Sequence, residues 1–206
     1  MKLPKLDRWL WLGLVCVLSI RLIYVISIPD AIEFWRDGLS YNNIARNLNS
    51  GIGYWDTTGE LPNHPPYADP TAPTARWLPG YPLFVAGVYT VFGESYRAVY
   101  IAQTALAAII AVFVYLLATL LLNKRVGIVA VFLYAVDPLA VYLSGHFQTE
   151  QLFTLLILAS LYCFAKMRMQ TQGRIGFAFL FGLSMGVAAL TRSIAGALFA
   201  GLCLSV

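Results

Sequence analysis

Charge is scarce in this sequence: 12% of its 206 residues are Asp, Glu, Lys or Arg, where an ordinary soluble domain has about a quarter. With 59% hydrophobic residues, too few polar side chains remain to cover a water-soluble core, which excludes a soluble globule, and so rich an apolar content excludes a disordered chain. Cysteine is scarce as well. Cys16, Cys163 and Cys203 all lie in apolar runs without paired spacing, which excludes a disulfide scaffold and a cysteine zinc site. Internal repeats and low-complexity tracts are missing. The net charge of +4 comes from scattered residues and forms no basic stripe interleaved with aromatics, so nucleic acid is excluded as a partner. What the chain has instead is long apolar runs, which a lipid bilayer solvates directly.

Six such runs are expected to span, at about 9–29, 96–122, 126–144, 147–165, 175–190 and from 194 to the end at 206. The first follows the basic stretch from Met1 to Arg8 and has no small-residue cleavage site, so it reads as a signal anchor. The last is still apolar at Val206, which suggests a chain truncated at its C-terminus. The fold class is therefore an all-α polytopic membrane protein, a single module over 1–206.

Charge bias sets the sides. With the N-terminus inside, the cytoplasmic segments carry Lys2, Lys5, Arg8, Lys124, Arg125, Lys166, Arg168 and Arg174 against Asp7 alone. The external segments collect acids, including Asp30, Glu33, Asp37, Asp56, Glu94 and Glu150. This arrangement treats Pro79 to Gly93 as a helix on the outer face that does not span.

The external loop at about 30–95 is far longer than the other connections, and long ordered loops carry function. Within it Tyr41, Ile44, Ala45 and Leu48 recur at helical spacing, predicting an interfacial amphipathic helix over Gly38 to Ser50, ended by Gly51-Ile-Gly53. Leu61 to Pro73 is turn and polyproline in character, with Tyr and His able to cover a site.

Three charged residues stand out. Asp37, beside Arg36 and four residues before Tyr41, reads either as a general base or as a helix cap. Glu150 shares a helical face with His146; together with Asp37 these offer a hard-cation site or a second acid, while a helix-start Glu and a neutral interfacial His is the structural alternative. Arg192 offers a planar fork to a phosphate or snorkels to the interface. Deeper in the membrane, Arg21 is expected to pair with Asp137, and Asp137-Pro138 to kink the third span.

Four motifs in order, Asp37-Gly-Leu-Ser-Tyr41 with Ile44-Ala-Arg-Asn-Leu48, Arg76-Trp-Leu-Pro-Gly-Tyr-Pro-Leu-Phe84, Thr149-Glu-Gln-Leu-Phe-Thr154 and Ala189-Leu-Thr-Arg192, make the chain resemble the dolichyl-phosphate-mannose protein mannosyltransferase-like family of the glycosyltransferase C superfamily. The resemblance implies a glycosyltransferase C-type transmembrane bundle with a long first external loop bearing interfacial helices. It implies a multi-pass enzyme of a prokaryotic plasma membrane that moves a sugar from a polyprenyl-phosphate donor to a hydroxyl of a protein, lipid or glycan on the outer face. Asp37 would be the base, Glu150 the acid of the second external loop, and Arg192 the contact to the donor phosphate. Pro79 and Tyr81 would line the pocket, and Tyr41 and His146 complete the expected substrate-binding set. A divalent cation is a possible cofactor.

The sequence departs from the family in two respects: Gly38 stands where many members carry a second acid after the first, and members are much longer. A transporter or lipid flippase is the alternative, with a non-catalytic truncated module a third. Transporters gather polar groups at the midplane and often repeat internally, whereas here they gather in one outer loop.

Overall fold

At the starts of three helices a polar side chain satisfies a free backbone end. The computed structural model describes residues 8–29, 36–57 and 73–204, and within them the chain is helical throughout its regular structure. The proline-rich stretch 61–72 and the basic residues 1–7 lie outside the described residues. The elements are α1 (Arg8–Ser27), α2 (Arg36–Asn49), α3 (Gly80–Phe92), α4 (Tyr96–Leu121), α5 (Lys124–Val136), α6 (Pro138–Tyr142), a 3-10 turn at Leu143–Gly145, α7 (Glu150–Met169), α8 (Arg174–Ala189) and α9 (Ile194–Leu204). Ser95 Oγ accepts from the Ala98 amide to cap α4, and Asn123 Oδ1 accepts from the Val126 amide to cap α5.

Helices α1, α4 and α7 are long and apolar enough to cross a membrane, and α5 passes the same test only when taken together with the segment Pro138–Gly145, from which it is bent by 57°. Helices α8 and α9, with 16 and 11 residues, are apolar but short of the eighteen or so that a span requires. The 13 residues of α3 leave it well short too. The basic residues Arg8, Lys124, Arg125 and Arg174 start helices and Lys166 and Arg168 end one, so all fall at the same end of a bundle whose successive long helices run antiparallel.

The bend repeats the physics of proline twice over. Pro138 has no amide hydrogen for the Tyr134 carbonyl, and the Leu139 amide that the Ala135 carbonyl would take is held by Asp137 Oδ1 at 2.9 Å. Arg21, fully buried, donates to both stranded carbonyls, at 3.0 Å to Tyr134 O and 3.3 Å to Ala135 O, and lies over the Tyr134 ring. The expected Arg21–Asp137 ion pair is thus corrected: the carboxylate caps α6 and the guanidinium caps α5. Pro29 strands the Val25 carbonyl in the same way at the end of α1, and Arg97 of α4 donates to it and to Ile28 O at 3.1 Å.

Close helix contact rests on glycine. A methyl group on Gly127 would stand 3.0 Å from the Tyr115 carbonyl oxygen and one on Gly13 2.7 Å from Val131, so α5 packs tightly on α4 and α1. Ser160 and Ser184 share a hydrogen bond of 2.7 Å between α7 and α8. Over this bundle sits an outer layer in which α2 lays Tyr41 and Ala45 against Tyr81, Val85 and Tyr89 of α3, and the same apolar cluster continues into Val25 of α1 and Val99 of α4. Asn42 accepts from the Tyr89 hydroxyl at 2.6 Å, and Arg46 pairs with Glu94 at 2.7 Å on the half-exposed rim. The interfacial helix expected over Gly38 to Ser50 is α2, starting two residues earlier.

Candidate active site

Four segments distant in sequence meet at the end of the bundle opposite the basic residues, around an open cavity of about 310 Å³. The first turn of α2 brings Asp37 and Tyr41, and the approach to α3 brings Arg76, Trp77 and Leu78. The start of α7 brings Gln148, Thr149 and Glu150, and the turn between α8 and α9 brings Thr191, Arg192, Ser193 and Ile194.

Asp37 is the second residue of α2, where the helix dipole favours its charge. It is exposed to the cavity, and no hydrogen bond or ion pair joins its carboxylate to another described residue, so it does not serve as the cap that was the alternative. Arg192 donates from its NH1 group to Glu150 Oε1 at 2.6 Å, and its guanidinium lies 5.7 Å from the centre of the Phe153 ring. The other Glu150 oxygen is buried without a partner. Tyr41 is buried between these groups, edge-on to Trp77 at 5.2 Å and to Tyr81 at 5.1 Å. Burial raises its proton affinity, and the nearby Asp37 and Glu150 carboxylates raise it further against the opposing pull of Arg192, so its phenol stays a neutral donor.

The wall behind is stiff. Trp77 donates its indole N–H to the buried Asp56 at 3.0 Å, and its carbonyl accepts from the Tyr54 hydroxyl at 2.9 Å. Arg76 lies over the Trp77 ring at 5.0 Å. Burial, with the Asp56 carboxylate adding to it, pushes Tyr54 up to about 12, and burial likewise raises Tyr81 and Tyr89. Unfolded tyrosines ionise near pH ~10 while these four stay neutral, so stability is expected to hold below that pH and to fall as it rises toward 12. Alkaline titration followed by tyrosinate absorbance and thermal melting checks this.

Of the residues expected from sequence, Asp37, Tyr41, Glu150 and Arg192 share the cavity. Tyr81 is fully buried one layer back, donating to Gln103 Oε1 at 2.7 Å, and Pro79 stands at the start of α3. His146 is buried, stacked on Tyr142 at 3.7 Å with Nδ1 2.7 Å from the Tyr142 carbonyl, and is not among the residues that line the cavity. Among the described residues no three His, Cys, Asp or Glu side chains gather around a point fit for a metal ion; Asp37 and Glu150 are the carboxylates on the cavity. Trp77, Thr191 and Gln103 were not expected. Trp77 and Thr191 sit inside the quoted motifs, and Gln103 carries its own signal as an uncharged polar residue within an apolar span.

The Gly80 amide donates to Leu190 O at 2.7 Å, which ties the α3 wall to the turn carrying Arg192. A methyl group on Gly80 would meet Thr191 Oγ1 at 2.4 Å and Leu190 O at 2.9 Å. Gly80→Ala is therefore expected to cost about 1–3 kcal/mol through overpacking, read as a lower Tm in detergent.

Residues 70–204, about two-thirds of the chain, match the family described as dolichyl-phosphate-mannose-protein mannosyltransferase. The match includes Glu150 and Arg192, whereas Asp37 and Tyr41 precede it. No curated protein matches the chain. No solved structure matches it either. With its all-α membrane fold and the family match over most of its length, the chain belongs to the dolichyl-phosphate-mannose-protein mannosyltransferase family of glycosyltransferases.

Proposed function

We propose that this protein transfers a sugar from a polyprenyl-phosphate-linked donor to a hydroxyl acceptor at the membrane face opposite the basic loops. The observation that carries the reading is the convergence of a carboxylate with no partner among the described residues, a neutral phenol and an arginine on one open cavity at the ends of membrane helices. Asp37 takes the proton of the acceptor hydroxyl as its oxygen attacks the anomeric carbon. The bond from that carbon to the phosphate oxygen breaks, and the lipid phosphate leaves with the electron pair. Arg192 stabilises the charge that develops there, and Tyr41 supplies a neutral donor. Attack from the side opposite the leaving phosphate inverts the anomeric centre.

In this reading Glu150 holds Arg192 in place until the donor phosphate reaches the guanidinium. The cavity is lined by the start of α7 and the turn after α8, and in this reading the lipid carrier presents its phosphate there without leaving the bilayer. Membranes carrying the protein are tested with radiolabelled sugars on a panel of polyprenyl phosphates and an acceptor extract. Transfer above protein-free membranes is the expected result; its absence with every donor overturns the reading.

A further inference from the structure

We infer that Gln103 is a positioning residue for the cavity: its carboxamide locks the α3 wall to the backbone segment that presents Gln148 to Glu150. The inference rests on the proposed transfer reaction for its kinetic half only.

Gln103 lies in the second turn of α4 and is fully buried. An amide at that depth is costly unless each of its hydrogen-bonding groups is satisfied, and here each one is. Its Nε2 donates to Ser144 O at 3.1 Å and to His146 O at 2.9 Å, and its Oε1 accepts from the Tyr81 hydroxyl at 2.7 Å. Tyr81 is fully buried too. One side chain thus joins α3, α4 and the connection into α7.

The need for it comes from the backbone. His146 is extended, with φ −132° and ψ 145°, so the carbonyls around it have left the helical ladder of the bent span and require donors from elsewhere. Gln151 adds a second latch: with its amide oxygen toward Ser144 N at 3.1 Å and Ser144 Oγ at 2.7 Å, its nitrogen reaches the Gln103 carbonyl at 2.6 Å. Beyond this knot, in both chain directions, lie cavity groups. Trp77 and Leu78 come shortly before Tyr81, and Gln148, Thr149 and Glu150 begin two residues after His146. Tyr81 also packs edge-on to Tyr41. Gln103 touches no cavity space itself, so it acts through the placement of Glu150, and hence of its partner Arg192, and of the Tyr41 wall.

The test uses the full chain in lipid nanodiscs with two readouts. Gln103→Met keeps the volume and removes all three bonds; it is expected to speed amide hydrogen exchange across 144–150 by about tenfold or more, the equivalent of one lost buried hydrogen bond. In transfer assays it is expected to raise the donor KM by about tenfold with kcat changed less, because the proton acceptor at Asp37 is untouched. Tyr81→Phe breaks one of the three bonds and is expected to give a smaller change in the same direction. If Gln103→Met does not accumulate in membranes, Tyr81→Phe carries the test, and unchanged exchange in it overturns the inference. Faster exchange with unaltered KM and kcat also overturns it, since Gln103 is then structural only. If the wild type transfers nothing, the proposed reaction fails, and the exchange readout still decides whether Gln103 holds this segment.

Discussion

Asp37→Asn is expected to lower the rate of sugar transfer by about 10²–10⁴-fold at saturating donor, with little change in donor KM. The substitution keeps the shape and a hydrogen-bond acceptor but cannot take a proton from the acceptor hydroxyl. Asp37 is suited to this variant because no hydrogen bond or ion pair ties it to a described residue, so the change strands no partner among them and the fold should persist. Initial rates at matched expression, with melting temperature as control, provide the measurement. Undiminished transfer in Asp37→Asn would remove the base assignment, and loss of transfer accompanied by a large fall in Tm would mark the residue as structural. Asp37→Glu, which restores the proton acceptor on a longer stem, should recover part of the rate.

Arg192→Ala is expected to cost about 10²–10³-fold in kcat/KM, the scale seen when one donor to a developing oxyanion is removed. Its structural consequence differs from that of Asp37. Glu150 Oε1 loses its 2.6 Å partner while Oε2 is already buried without one, so the single variant leaves a carboxylate with no bond at a partly buried position. Arg192→Ala combined with Glu150→Gln should therefore regain stability without regaining transfer, which separates the two effects. Arg192→Lys keeps the charge and loses the planar fork, and an intermediate rate is expected. A rate equal to wild type in Arg192→Ala would exclude it from the phosphate site.

The broad architecture was legible because apolar length and basic bias are read residue by residue. Helices α1, α4 and α7 fall within or close to the expected runs, and the break at Asp137-Pro138 follows from proline's missing amide hydrogen. Helix α7 starts three residues into the apolar run that begins at about 147, because Phe147 continues that run in the sequence while the backbone there is held by Gln103, far away in sequence. Arg21 shows the same limit. An acid was the natural partner to seek, but Asp137 is held by the amides of its own chain, and the true partners are carbonyls that proline leaves free. Asp37, Glu150 and Arg192 were singled out individually, yet nothing in their spacing dictates that they share a cavity. That depends on the antiparallel run of α7 and α8 and on the seating of α2 over α3. The Trp77 wall was beyond reach for a similar reason, since its bonds to Asp56 and Tyr54 close within a loop whose path has no periodic signal.

The two arginine caps also bear on how the protein is made. When α1 enters the membrane, Arg21 has only lipid and its own helix to meet, at a cost of about 2.5–3.5 kcal/mol on insertion scales. Its carbonyl partners arrive with α5, more than a hundred residues later in synthesis. The end of α1 waits in turn for Arg97 of α4. The first helix is therefore an unfinished element until two later ones flank it, and α1, α4 and α5 must assemble as one cooperative unit rather than as spans that insert and settle one at a time.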